Sequence, residues 1–432
     1  MDLNRRRFLT TAGVLSAPLA LAGCGFAPAA SKPSTGSKTI TFTTWGTDSE
    51  LAGFKTLIAG FEKAHAGTKV ALNAVPYEQI FTNIDAQLQA GNPPDIFRVP
   101  YYTFGSYAGA GQLLDLSGHV PSGFQDRFTP QAWAAVQNGG KQFGIPHHTD
   151  TNVIFYNKTA LDTAGVTSVP TTLDDAWTWD EFTAVAAKLK AKQPKNRYPF
   201  AYNWQGNGVT RWLNWLFENN GRFLSADLKT AAIDSAAGRA AIDFTKSFFT
   251  KQFVPRNDSI GSTTYAADDF ANQTVAMVFS GAFAIPDTSK LKFEWASTFA
   301  PQKVRHGGDF GGNALVATKQ AAAKADVIGS FFDYVTQEAQ MRAFCAGASL
   351  LPTRRDLVSG GIDFTVRPEL SKVSVGQAST VQASDSGQVA SPNMSKIITV
   401  LKKELDTAFV GGRGAAATAS AAAAGITTAV GS

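Results

Sequence analysis

Cysteine is scarce in this chain of 432 residues: Cys24 and Cys345 are its two thiols. No disulfide framework of the kind that staples small secreted domains can be drawn from them. Cys345, between Phe344 and Ala346, would need a basic partner to act as a catalytic thiol and reads more simply as a small buried hydrophobe. Histidine is equally sparse, with five residues. His147 and His148 are adjacent, but neighbours in sequence point different ways and no third ligand stands at zinc-site spacing, so a metal is not expected. Beyond the first two dozen residues no apolar run approaches the roughly twenty residues that span a bilayer. The net charge of +5 is scattered without a Lys/Arg stripe, which speaks against nucleic acid as a partner. A Gly-x-Ser-x-Gly elbow, a His-Glu-x-x-His helix and a phosphate loop ending in Gly-Lys-Ser/Thr are all missing, and with them the commonest signatures of hydrolase, metalloprotease and nucleotide chemistry. No internal repeat is found and no cofactor is expected.

What is present begins with an address. Asn4-Arg5-Arg6-Arg7-Phe8-Leu9 precedes a small and apolar stretch to Leu21, and Leu21-Ala22-Gly23-Cys24 follows. The paired arginines resemble a twin-arginine export signal, and the quartet resembles a lipobox whose cysteine becomes the lipidated first residue of the mature chain. A stretch of about a dozen apolar residues is too short for a transmembrane helix. Residues 1–23 are therefore expected to be a lipoprotein signal peptide. Residues 24–38, rich in Ala, Pro, Ser and Gly, would be a flexible tether. The expected location is the outer face of the cell membrane, held there by the lipid on Cys24.

The remaining four hundred or so residues exceed what one hydrophobic core usually serves, so two lobes are expected. Thr39 to Trp45 alternates with period two and reads as a strand. Leu51, Phe54, Leu57, Ile58 and Phe61 recur at helical spacing up to about His65, with Asp48 or Ser49 as the expected cap. Strand Lys69–Val75, helix Tyr77–Ala90 and strand Ile96–Val99 continue the βαβ grammar of a parallel sheet. Later come a short helix near Pro130–Gly139 and a strand Asn152–Asn157. A helix Trp179–Lys190 is capped by Thr178, with Glu181 at capping-box spacing. Helix Ala237–Thr250, strand Thr274–Phe279, helix Ala325–Thr336 and an amphipathic helix Met394–Val410 complete an α/β pattern. The alanine-rich tail from Gly414 reads either as one more helix or as a frayed end.

In this order the elements resemble the bacterial extracellular solute-binding proteins of carbohydrate ABC transporters, the maltose-binding and trehalose/maltose-binding group. The resemblance is carried by the strand Ile40 to Gly46, the helix ending Ile58 to Lys63, and the turn Gly91-Asn-Pro-Pro-Asp95 with Ile96-Phe97. It continues through Phe143-Gly-Ile-Pro146 with Val153 to Lys158, Thr178 to Phe182, Ala276 to Gly281, Gly311 to Ala314 and Leu351-Pro-Thr-Arg354. It implies a two-lobed periplasmic-binding-protein-like fold with hinge-linked, discontinuous lobes: 39–149 with 313–351, and 150–312 with 352–432. It also implies a carbohydrate ligand taken into the interlobe cleft, delivery to ABC permease subunits, no catalysis and work as a monomer.

Ligands of open α/β sheets bind beyond the carboxyl ends of the strands. By that rule Trp45 and Glu50, after the first strand, and Tyr101, after the third, are candidate contacts; each has a plain alternative as core or as a solvated acid. Asp95 precedes its strand and enters only through the family resemblance, standing level with a turn-forming role. His148 and Asp150 lie at a lobe crossing and suit hydrogen bonding to a polyol. Asn203, Trp204 and Trp212 belong to a stretch rich in rings and amides, the mixture a saccharide surface wants. Trp204 is the preferred stacking platform, while Trp212, Trp215 and Leu216 at helical spacing would also make a core stripe. Gly281 and Phe283 follow the Thr274–Phe279 strand. Asp309, Gly312 and Asn313 sit in a glycine-rich hinge segment, and Arg354 is either a ligand contact or a surface ion pair. A glycerophosphodiester, or another small solute on the same fold, is the rival ligand, and a secreted glycoside hydrolase the rival class, because carboxylates and tryptophans serve both.

Overall fold

The structure, a computed structural model, describes residues 39–204, 207–262 and 265–431. Cys24, the export motif and the tether lie outside them.

Among the described residues twelve strands, β1 to β12, fall in chain order at Thr39–Thr44, Lys69–Ala74, Ile96–Pro100, Gln137–Asn138, Lys141–Gln142, Gly144–Asp150, Asn152–Asn157, Tyr198–Tyr202, Val275–Gly281, Trp295–Thr298, Gly311–Ala317 and Leu351–Pro352. A six-stranded sheet has the order β12-β6-β11-β3-β1-β2, a four-stranded sheet has β10-β7-β9-β8, and β4 and β5 make a small ribbon. β1 runs parallel to β2 and β3, whereas β11 is antiparallel to β3 and β6. Strand β6 ends at Asp150 in the larger sheet and β7 begins at Asn152 in the smaller one, with Thr151 alone between them. The chain returns from β10 to β11 across residues 299–310, and leaves the larger sheet again after β12.

Each sheet is sandwiched by helices. The helix Asp48–Ala64 buries Phe54, Leu57, Ile58 and Phe61 on one face of the larger sheet, where Phe42, Phe331 and Phe344 meet them. Burial of each such ring or branched side chain contributes about 1.5 to 3 kcal/mol. Helices Tyr77–Gln89 and Tyr101–Gly109 cover the opposite face. The cap of the first helix is Thr47, not Asp48 or Ser49: its hydroxyl accepts from Glu50 N, and the Glu50 carboxylate accepts from Thr47 N. Threonine wins because a capping box needs its glutamate three positions on. The four-stranded sheet packs on Trp179–Lys192, Val209–Glu218, Ala236–Thr250 and Met394–Phe409. The alanine-rich tail is a full helix, Ala415–Gly431. It buries Thr418, Ala419, Ala422, Ile426 and Ala429, small side chains that let it lie close against its neighbours.

Candidate functional site

Two arginines organise the region where the sheets approach each other. Arg98 lies in the middle of β3, and its alternation of apolar neighbours turns it inward, where it is buried. A buried guanidinium is costly unless paired, and Arg98 is paired through both of its terminal nitrogens while its Nε has no hydrogen-bond partner among the described residues. Arg98 Nη2 meets Glu50 Oε1 at 2.5 Å and His148 Nε2 at 2.9 Å, and Nη1 donates to the Trp45 carbonyl at 2.8 Å. Its plane covers the Trp45 ring at 4.5 Å. Asn313 Nδ2 donates to the same His148 nitrogen at 3.0 Å. Both neighbours only donate, so His148 Nε2 accepts and its proton sits on Nδ1, 3.1 Å from His147 Nδ1. Burial, reinforced by Arg98, pushes both imidazoles down, His147 to about 3, and keeps them neutral.

This network corrects several expectations. Glu50, His148 and Asn313 are buried and hydrogen-bonded to protein, and so support the groove from beneath its lining. Tyr101 is buried with its hydroxyl on the His148 carbonyl at 3.1 Å and its ring against Phe310. Trp45 stays half-buried, tilted against Tyr77 at 5.4 Å and edge-on to Phe81 at 5.6 Å.

Arg211 is the second centre. It projects from the helix Val209–Glu218 and is 18% exposed. Its Nη1 donates to Asn152 Oδ1 at 3.1 Å and lies 3.8 Å from Asp150 Oδ2 and 3.6 Å from Asp309 Oδ2. Its guanidinium stands 5.7 Å from the Phe283 ring. Each carboxylate is pinned at its other oxygen, Asp150 by Ala282 N at 3.1 Å and Asp309 by Asn152 N at 2.8 Å. A Cβ on Gly281 would fall 2.0 Å from Asp150 Oδ2, so the glycine is what lets the strand end approach the carboxylate. Burial raises the Asp150 carboxyl to about 7, with Arg211 opposing and Asp309 adding to the rise. Asp309 is raised for the same reason, and the two acids hold the Arg211 proton more firmly than usual against its own burial. The field of Arg211 also reaches Tyr77 and Tyr102, whose hydroxyls lie 2.6 Å apart. Tyr102 further bonds the Asn207 amide. Aromatic rings that pack on the larger sheet thus meet polar groups carried by the smaller.

Beside this contact lies a cavity of about 400 Å³. Phe81, Asp85 and Ser106 line it from the helices on the larger sheet, and Asn207, Ser395 and Lys402 from the opposite side. Phe81 joins it to Trp45, and Asn207 joins it to Tyr102. Of the sequence candidates, Asp150, Phe283 and Asp309 gather around Arg211 with Gly281 against Asp150, and Trp45 touches the cavity-lining Phe81; Asp150 and Asp309 are themselves buried.

Others are not. Trp204 and Trp212 are fully buried: Trp204 donates to the Asp258 carbonyl and packs on Tyr202 and Phe409, and Trp212 donates to Thr245. Neither ring has an open face, so the expected stacking platform is core. Asn203 is buried beside them, its backbone N–H donating to Phe279 O. Asp95 sits at the far end of β3, holding Thr41 N at 2.7 Å and Lys324 Nζ at 2.8 Å. Arg354 pairs with Asp356 and the Thr336 carbonyl, well served without a ligand. Gly312 has φ of +95° and its backbone presses on His148 and Thr149 of the neighbouring strand, a backbone requirement and not a side-chain contact. The sequence reading missed Arg98, Arg211, Phe81 and Lys402. The available signals were an arginine inside the apolar Ile96–Val99 run and the polar series Arg211, Asn214, Glu218 at helical spacing.

Two α/β halves connected by strand crossings, with a polar and aromatic groove lined from both, are the build of a protein that takes a small solute between its lobes. The chain belongs to the bacterial extracellular solute-binding protein family, whose pattern matches residues 45–342. It is 29% identical over 171 residues to the galactooligosaccharide-binding protein of Bacillus subtilis; that match covers 40% of this chain and 39% of the relative. Matches to the curated relatives thus span about two fifths of their length. Among solved structures, an ABC substrate-binding protein of Listeria monocytogenes in complex with cycloalternan superposes with a TM-score of 0.77 at 20% identity, over 91% of this chain and 99% of that one. UgpB of Mycobacterium tuberculosis in complex with glycerophosphocholine gives 0.76 at 18%, over 92% and 99%. These likenesses establish the two-lobed fold. The family and these neighbours are binding proteins, and the family is an extracellular one. Among the described residues no helix is long and apolar enough to cross a membrane, and no cluster of ligating side chains is placed to hold a metal.

Proposed function

We propose that this protein is the substrate-binding component of an ABC importer and captures a neutral carbohydrate in the groove between its sheets without altering it. The observation that carries the reading is that Arg211, with its Asp150, Asp309 and Asn152 partners, is close enough for its field to act on Tyr77, which packs with the half-buried Trp45 and Phe81 rings. Sugar C–H faces pack on rings, and hydroxyls seek carboxylates, amides and guanidinium groups. The oligosaccharide-binding relatives support the same reading. Lobe segments 39–149 with 313–351 and 150–312 with 352–432 would close over the ligand. Lipidation of Cys24 would tether a monomer outside the membrane, where the permease receives the sugar.

A glycerophosphodiester is the second reading, favoured by the guanidinium of Arg211 in the groove and by the glycerophosphocholine-bound neighbour. A thermal-shift screen of mono-, di- and oligosaccharides alongside glycerophosphocholine separates the two. A ligand present at a hundred times its Kd stabilises by about 2.7 kcal/mol. A shift with a neutral sugar, which is then recovered intact, is the expected result; turnover of the sugar would instead mark a hydrolase.

A further inference from the structure

We propose that Asp150 and Asp309 form an anion-exclusion pair: by occupying Arg211 from within, they make the groove accept uncharged polyols and reject phosphate esters. The proposal rests on the carbohydrate reading and adds its selectivity rule.

An arginine free in a groove would recruit phosphate through its planar fork of donors. Arg211 is not free. Two carboxylate oxygens stand 3.6 and 3.8 Å from Nη1, and Asn152 Oδ1 takes a hydrogen bond from the same nitrogen at 3.1 Å. Each carboxylate is held in place, Asp150 by Ala282 N and Asp309 by Asn152 N. Above the range near pH 7 where Asp150 titrates, both acids are charged and two acids against one base leave a net negative charge, so an arriving phosphate oxygen meets like charge at close range. A hydroxyl meets no such penalty and can donate to a carboxylate. The adjoining cavity has no surplus cation either, its lining carrying Asp85 and Lys402, one charge of each sign.

The test is calorimetric titration of the wild type, D150N, D309N and D150N/D309N with glycerophosphocholine and with the best neutral sugar. The double variant is also measured with R211M added. Asparagine keeps an amide oxygen for each backbone N–H, and a cooperative melt verifies folding; if the double variant melts without cooperativity, D309N alone is judged by the same criteria. The expected result is at least a roughly tenfold gain in glycerophosphocholine affinity for D150N/D309N, abolished by R211M, since close like charges cost more than that factor. A folded variant with unchanged glycerophosphocholine affinity, or a gain that survives R211M, overturns the exclusion pair. If the wild type takes no neutral sugar, the carbohydrate reading itself fails, whatever the variants do.

Discussion

Arg98 holds Trp45 in two ways at once, donating to its carbonyl at 2.8 Å while its guanidinium plane covers the indole at 4.5 Å. The ring at the groove is therefore fixed by a residue from the neighbouring strand, itself fixed by Glu50 and His148. If Trp45 stacks on sugar, its removal costs about tenfold in affinity, since an aromatic contact is worth up to about 1.5 kcal/mol. R98M should weaken binding only while Trp45 is present. A double-mutant cycle on sugar Kd measures this: strong non-additivity is expected, and additive losses would assign Arg98 a merely structural part.

Trp204→Ala should act on stability and not on recognition. A fully buried indole on Tyr202 and Phe409 costs about 3 to 5 kcal/mol on truncation. Urea denaturation should show that loss, with near-normal sugar affinity in the fraction that remains folded.

Gly312→Ala should be as damaging as a core truncation despite its small size. The glycine has φ of +95°, and a Cβ would lie 2.4 Å from the His148 carbonyl oxygen. Strain plus clash predicts a loss of more than about 2 kcal/mol in unfolding free energy.

The pH dependence of stability should carry two opposed contributions. Asp150 is raised by burial from an ordinary 3.8 to about 7, so it binds its proton more tightly folded than unfolded. Its contribution is complete below pH 3.8 and is lost as pH rises through 7. His147 is lowered by burial from 6.5 to about 3; its contribution is complete above pH 6.5 and is lost as pH falls through 3. Urea midpoints at a series of pH values should therefore show D150N gaining on the wild type as pH rises from 3.8 to 7. The neutral isostere His147→Gln should lose less stability than the wild type on acidification below 6.5.

Much of the fold was legible because it is written in local patterns. Strand Thr39–Thr44 alternates, the Phe54–Phe61 stripe has helical period, and Thr178 with Glu181 spells a capping box. The site was harder to read for a physical reason. Trp204 and Trp212 present the same composition to a reader whether they face sugar or core, and only packing against Phe409 and Thr245 decides. Arg98 and Arg211 draw their meaning from Glu50, His148, Asp150 and Asp309, partners 48 to 98 residues away in the chain. No short motif announces such pairings. Asp150, Asp309 and Phe283 were picked out by their places at strand ends and crossings; the arginine that joins them was not.

The most direct test is titration calorimetry of the purified wild-type protein with the strongest neutral sugar from the screen, followed by chemical analysis of what is released. The account predicts one-to-one binding, tighter than for glycerophosphocholine, with the sugar returned unchanged. Heat evolved with glycerophosphocholine alone, or a sugar returned cleaved, would contradict it.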